Sequence, residues 1–418
     1  MDKFVGYKCS LCGAEYTEGQ VTYTCPVDGC NLDVVINADL LSRSEAKHNV
    51  TSSPDPSIWR YLPLLPVSKM IGENTPMQAV GGTPVFLHPH SKEFGVQQLL
   101  IKDESRNPTA SFKDRASAVV VARAMEIGKE IVVTASTGNA GAALAGISAA
   151  VGQRSIIFAP KTAPPAKIAQ LLVFGAQVIL VDGTYDDAFD LSVIAANEFG
   201  WYCRNTGYNP FTVEGKKTAA FEVWEYFYRQ QGSPDVVDMV DVSVVVSVGD
   251  GNIISGIHKG FKDLCLLGWI NQSPRIIGIQ SENSAAVANA FFAGNEQIVP
   301  VRATTIADSI SVDLPRDGVR AVRAATETGG SYLLVPDSEI IQAIGLVGKI
   351  GIFAEPAGAT AYAGFLKAKQ AGYFNPKSKV VVFNTGSGLK DVNSAMRSVQ
   401  PAPIIEPRMD KLKELLKI

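Results

Sequence analysis

Ile131-Val132-Val133-Thr134-Ala135-Ser136-Thr137-Gly138-Asn139-Ala140-Gly141-Ala142 places a β-branched run, a hydroxyl- and glycine-bearing loop and the start of an Ala-rich segment in succession. The succession returns at Ser155-Ile156-Ile157-Phe158 and Val178-Ile179-Leu180-Val181, each followed by Gly or Pro punctuation and a segment long enough for a helix. Strands that alternate with helices in this way make parallel sheets with crossover helices. A second series follows at Val242 to Val248, Arg275 to Gln280, Ser331 to Val335 and Lys379 to Phe383. Two series predict an α/β protein with two doubly wound, open-sheet domains sharing a cleft. Ligands of such sheets sit beyond the carboxyl ends of the strands, so the loops after the strands carry the chemistry.

The totals fit this plan. The chain has 418 residues, 46% of them hydrophobic and 19% charged, enough apolar material for two or three domains and too much for a disordered chain. The 38 Lys and Arg against 41 Asp and Glu leave a net charge of -3, which gives no basic footprint for nucleic acid. No cationic leader with an apolar core opens the sequence, and no apolar run nears ~18 residues, so a cytoplasmic protein without a membrane span is expected.

Four loops stand at strand ends. After Leu99-Leu100-Ile101 comes Asn107-Pro108-Thr109-Ala110-Ser111-Phe112-Lys113-Asp114-Arg115, where a lysine enters a helix behind small hydroxyl residues. A helix start raises the acidity of such an amine and suits it to Schiff-base chemistry; the alternative is a solvated lysine paired with Asp114. The loop Ser136-Thr137-Gly138-Asn139 offers backbone N–H groups and side-chain donors to a carboxylate, or simply caps its helix. Gly249-Asp250-Gly251-Asn252-Ile253 lets a phosphate approach the backbone at a helix start, or is only a turn, and it is neither a Walker loop nor a dinucleotide fingerprint. Thr385, in Asn384-Thr385-Gly386-Ser387-Gly388, would project a hydroxyl into the cleft, where it can serve a neutral ring nitrogen. An amine, a carboxylate cradle, a phosphate cradle and a hydroxyl together outline a pyridoxal phosphate site.

The strings NPTASFKDR (107–115), STGN (136–139), EGKKT (214–218), GDGNI (249–253), EPAG (355–358) and TGSGLKD (385–391) resemble the motifs of fold-type II pyridoxal phosphate enzymes, and within these the threonine synthases. The resemblance runs from about Gly81 to Asp391 and implies the tryptophan synthase β-like architecture. It implies a cofactor-binding large domain of residues 66–115 plus 211–395, a small mobile domain of 116–210 and a C-terminal tail helix in 396–418. By the same resemblance, Lys113 carries the cofactor as a Schiff base and shuttles protons. Phe112 and Asn139 contact its ring, Gly249, Asp250, Gly251, Asn252 and Ile253 hold its phosphate, and Thr385 faces its pyridine nitrogen. Ser111, Ser136, Thr137, Asn139 and Lys216 bind the substrate, O-phospho-L-homoserine, which loses phosphate by γ-elimination and gains water at Cβ to give L-threonine. A homodimer is also implied.

Two departures stand out. An arginine usual in the family is Thr212 here, with Arg204, Lys216, Lys217 and Arg316 as candidate replacements for binding the substrate phosphate. Ala110 replaces a usual glycine, which matters if the loop needs positive φ. The missing arginine keeps a threonine or serine dehydratase, or a phosphoserine-using β-replacement synthase, as the alternative function. A regulatory, non-catalytic relative is a third reading, opposed by the intact Lys113.

Residues 1–65 form the remaining stretch, read as a cysteine-containing ribbon followed by an extended arm through Ser42 to Pro56. Cys9-x2-Cys12 and Cys25-x4-Cys30 suit a structural zinc site, although the second spacing is wide and Asp28 stands where the fourth ligand is expected. Free thiols in a packed lobe are the alternative. Cys203 and Cys265 sit in apolar surroundings and are assigned to the core, and the four histidines show no metal or triad spacing.

Overall fold

The structure is a computed structural model that describes residues 3–43 and 45–417. The chain opens with an antiparallel ribbon of β1 (Phe4–Cys9), β2 (Glu15–Thr17) and β3 (Leu32–Ile36), in the order β2-β1-β3. It then lays down β4 (Val85–Leu87) and β5 (Gln98–Asp103), which pair antiparallel. Next come β6 (Ile131–Ala135), β7 (Arg154–Pro160), β8 (Gln177–Val181) and β9 (Tyr202–Cys203), an all-parallel sheet in the order β8-β7-β6-β9. Finally β10 (Val242–Ser247), β11 (Arg275–Ser281), β12 (Ser331–Val335) and β13 (Lys379–Asn384) join the earlier pair in a six-stranded sheet ordered β12-β11-β10-β13-β5-β4.

Both larger sheets are covered by helices, which is why their strands read as continuous apolar runs: all six residues of β10 and all five of β6 are buried. The helix Asn139–Val151 carries mainly Ala, Gly and Ser on its buried side, with Asn139, Leu144 and Ile147 among them, so it packs closely on the helix Lys113–Glu126.

The ribbon has no core of its own. Phe4, Tyr7, Leu32 and Val34 belong to one apolar cluster with Val119, Leu144, Tyr202 and Phe211. The arm expected to be extended from Ser42 to Pro56 instead carries a helix, Ala46–Ser52. Ala46 and Val50, one turn apart, face the core of the large sheet and stabilise that turn. The tail helix Met409–Leu416 has no buried residue. Among the described residues, no helix is long and apolar enough to cross a membrane.

Candidate active site

The carboxyl ends of β5, β6, β10 and β13 meet between the two larger sheets. The lysine loop is fixed first by its own bonds. The Thr109 N–H donates to Asp114 Oδ2 (2.7 Å) and the Thr109 hydroxyl to Asp114 Oδ1. Asp114 therefore does not pair with Lys113. The loop is next tied to the loop after β13, since Phe112 N–H donates to Thr385 O (3.0 Å) and Ser387 N–H to Ala110 O (3.1 Å). To close this path Ala110 adopts φ 65°, the left-handed conformation in which its Cβ is strained.

Lys113 is the first residue of its helix and is partly buried. Burial lowers the pKa of its amine, Glu355 opposes that shift, and Arg204 adds to it. A larger neutral fraction makes the amine a better nucleophile.

Two residues further on, Arg115 does different work. It is fully buried and forms paired bonds to Glu104 (2.7 and 2.8 Å) and Glu222 (2.7 and 2.7 Å). Lys102 joins the cluster through Glu222 at 2.5 Å. Two cations and two carboxylates thus balance beneath the lysine loop and hold its helix against the helix Thr218–Gln230.

After β6, the helix Asn139–Val151 starts at Gly138 with no side-chain cap. Its first N–H groups lack intrahelical partners, which leaves them for a carboxylate. Ser136 Oγ accepts from Gly138 N–H (3.2 Å), and Thr137 lines the adjoining cavity of about 50 Å³ with Asn139 and Glu355. The Asn139 amide donates to Glu355 Oε1 at 2.8 Å and approaches Ser309 Oγ at 3.3 Å. Burial raises the pKa of Glu355, with Lys113 pulling it back. A Cβ on Gly386 would lie 2.2 Å from Glu355 Oε1, so only glycine lets this carboxylate approach the lysine loop.

After β10, Gly251 caps the helix Asn252–Leu266 without any side-chain bond, at φ 90°. A Cβ there would meet Asp317 O at 2.5 Å. Asp250 accepts Arg316 N–H (2.7 Å), and burial pushes its carboxyl up to about 7. Asn252 accepts from Lys216 Nζ (2.5 Å) and donates to Asp317 (2.7 Å), while Ile253 packs on the core of the large sheet.

The four candidate cations separate cleanly. Lys217 is neutralised by Glu214 (2.5 Å) and Asp263 (2.9 Å). Arg316 pairs with Asp186 (3.2 Å) and lies over the Phe189 ring near the surface. Lys216 and Arg204 are fully buried, and among the described residues neither has a carboxylate at ion-pair distance. Among the described residues the Arg204 side chain bonds only the hydroxyls of Ser117 (3.1 Å) and Thr206 (2.6 Å), and its Nη2 has no partner. Burial brings its pKa down to about 10; Lys216 is lowered too, by burial first and then by Arg204. Thr212 merely bonds its own turn, through Asn209 O at 2.7 Å.

Ser111 and Thr385 are buried at the junction of the lysine loop and the loop after β13. Phe112 is fully buried too, packed on Phe383 and under the Arg115 guanidinium. The ring therefore belongs to the core beneath Lys113. Glu355 is the residue that reading from strand ends leaves out; its only signal is the EPAG string before the helix Pro356–Gln370. Of the N-terminal cysteines, Cys9, Cys12 and Cys25 come together, but their companion is Asp28 rather than Cys30.

A family model described as "Pyridoxal-phosphate dependent enzyme" matches residues 76–386. The chain is 36% identical to a threonine synthase of Methanocaldococcus jannaschii, covering 98% of this chain and 99% of the relative. It is 33% identical to a threonine synthase of Methanosarcina acetivorans, covering 98% of each. Processed threonine deaminase isoform 2 of Solanum lycopersicum shares the fold, with a TM-score of 0.60 at 22% identity over 80% of this chain and 82% of that one. The chain belongs to the pyridoxal-phosphate dependent enzyme family and, within it, to the threonine synthases.

Proposed function

We propose that this protein converts O-phospho-L-homoserine and water to L-threonine and phosphate, with pyridoxal phosphate as cofactor. The observation that carries this reading is a cluster of buried cations without direct ion pairs. Among the described residues Lys113, Arg204 and Lys216 gather there with no carboxylate at ion-pair distance, Asp250 acting on all three and Glu355 on Lys113 only from farther off, between two helix starts that no side chain caps. Such a site suits a ligand pair that brings two phosphates and a carboxylate.

The cofactor fits the residues present. Lys113 would hold it covalently, the Gly249–Ile253 loop and Lys216 its phosphate, Asn139 its ring hydroxyl, and Thr385, buried beside the lysine loop, its ring nitrogen. When bound it supplies an electron sink that makes the substrate's Cα and Cβ protons acidic. Ser136, Thr137 and the N–H groups from Asn139 onward would fix the substrate carboxylate. The Lys113 amine, its pKa lowered by burial, would take and return those protons, with Glu355 stabilising its charged form. Arg204, through its unpartnered Nη2, would hold the γ-phosphate in place of the arginine missing at Thr212.

The separate four-stranded sheet supports motion of residues 116–210 against 66–115 plus 211–395. The unburied tail helix supports a homodimer, and we place the protein in the cytoplasm, with a structural zinc ion in its ribbon. The test is to give cofactor-loaded protein O-phospho-L-homoserine, with threonine and O-phosphoserine in parallel. Equal phosphate and threonine release is expected; ammonia and a keto acid from threonine alone would favour a dehydratase instead.

A further inference from the structure

The ribbon contains the same turn twice. In the first, Cys9 N–H donates to Ala14 O (2.8 Å) and Gly13 N–H to Cys9 O (3.2 Å). In the second, Cys25 N–H donates to Cys30 O (2.9 Å) and Gly29 N–H to Cys25 O (2.8 Å). Gly13 and Gly29 take matching left-handed φ values of 74° and 72°. Aligned by these bonds, Cys9 corresponds to Cys25, Cys12 to Asp28, and Ala14 to Cys30. Cys30 thus occupies a hairpin-closing position whose counterpart is an alanine. Asp28 occupies the position that gives the first turn its second thiol.

The donor atoms agree. One atom each from Cys9, Cys12, Cys25 and Asp28 lies within 4.8 Å of all the others. Cys12 Sγ and Cys25 Sγ are 3.7 Å apart, and Cys9 Sγ is 3.3 Å from Asp28 Oδ2. A zinc tetrahedron with bonds of ~2.3 Å to sulfur and ~2.0 Å to oxygen has edges of ~3.8 Å between sulfurs and ~3.5 Å between sulfur and oxygen. Outer contacts suited to thiolates are also in place, with Leu11 N–H 3.4 Å from Cys9 Sγ and the Tyr16 hydroxyl 3.1 Å from Cys25 Sγ.

We propose that the ribbon binds one zinc-class divalent cation through Cys9, Cys12, Cys25 and Asp28, with Cys30 outside the ligand set. Four protein ligands fill the tetrahedron, so the ion braces the ribbon and takes no part in the chemistry. The brace reaches the phosphate loop. Arg320 donates to Leu32 O (3.2 Å) and Asp33 (2.8 Å) at the start of β3, and grips Asp317 (2.6 and 2.8 Å), the residue to which Asn252 donates.

Full-length holoenzyme, its own metal removed with chelator and replaced by zinc or cobalt(II), tests the assignment by metal content and by the cobalt visible and thiolate charge-transfer bands. One ion per chain is expected in wild type and in Cys30→Ser. Asp28→Ala should weaken binding ~10-fold or more. Asp28→Cys should restore binding with a stronger thiolate band, which separates loss of a ligand from loss of the ribbon's fold. Full affinity in Asp28→Ala, loss of the ion in Cys30→Ser, or no ion in the wild type would each overturn the proposal.

Discussion

Arg115 and Arg204 are both fully buried arginines, and they are buried in opposite ways. Arg115 meets two carboxylates, each through paired bonds, while Arg204 meets two hydroxyls and leaves one nitrogen without a partner. Desolvating a guanidinium costs several kcal/mol unless an anion compensates it. Around Arg115 the chain supplies that anion at bonding distance; around Arg204, among the described residues, it does not. A charge neutralised within the chain holds the fold together, and one left uncompensated beside a reactive lysine is set for a ligand. The neighbours Lys217 and Lys216 repeat the contrast, the first paired with Glu214 and Asp263, the second bonded only to an amide.

Substitutions should pull these two kinds of charge apart. The largest effect belongs to Lys113→Ala, expected to lower turnover ~10³-fold or more and to abolish the imine absorbance of bound cofactor while leaving the melting temperature of the apoprotein near wild type. An unchanged spectrum would remove Lys113 from its role. Arg115→Met should do the reverse. It leaves Lys102 as the one buried cation facing both Glu104 (3.8 Å) and Glu222 (2.5 Å) among the described residues, and should cost ~3–5 kcal/mol in urea unfolding, with the imine band retained in the protein that stays folded. Arg204→Gln is expected to raise KM for O-phospho-L-homoserine ~10- to 100-fold, the worth of a charge-assisted bond, without loss of stability. If stability fell as far as in Arg115→Met, the contrast between the two arginines would collapse.

Smaller still is the effect of Ala110→Gly in the loop shared by both regions. Relief of the left-handed strain, partly offset by the entropy of glycine in the unfolded chain, should stabilise the protein by ~0.5–1 kcal/mol. A thermal shift would register it.

The fold was readable because both faces of its sheets are covered. Runs such as Val242 to Val248 have no polar alternation to confuse them, and the observed β10 ends one residue from the reading, at Ser247. The loops after β5, β6 and β10 were locatable because each lies next to its own strand. What escaped depends on contacts across the chain. Glu355 acquires its meaning from Asn139, 216 positions away, and Arg204 from having, among the described residues, no carboxylate at ion-pair distance, which no local pattern encodes. The arm misled because its Ser and Pro content hid the Ala46 and Val50 pair. Asp28 was noticed as a break in spacing, but only the doubled turn gives that break a reason.

The ribbon's dependence on a borrowed core also has a timetable. Phe4 packs against Phe211, with ring centroids 5.9 Å apart. At ~5–20 residues per second, the ribosome adds Phe211 ~10–40 s after Phe4. For that interval the nascent ribbon has its hairpin bonds but not the surface that will cover its aromatic residues, and an ion seized early would keep it shaped until its partner is made.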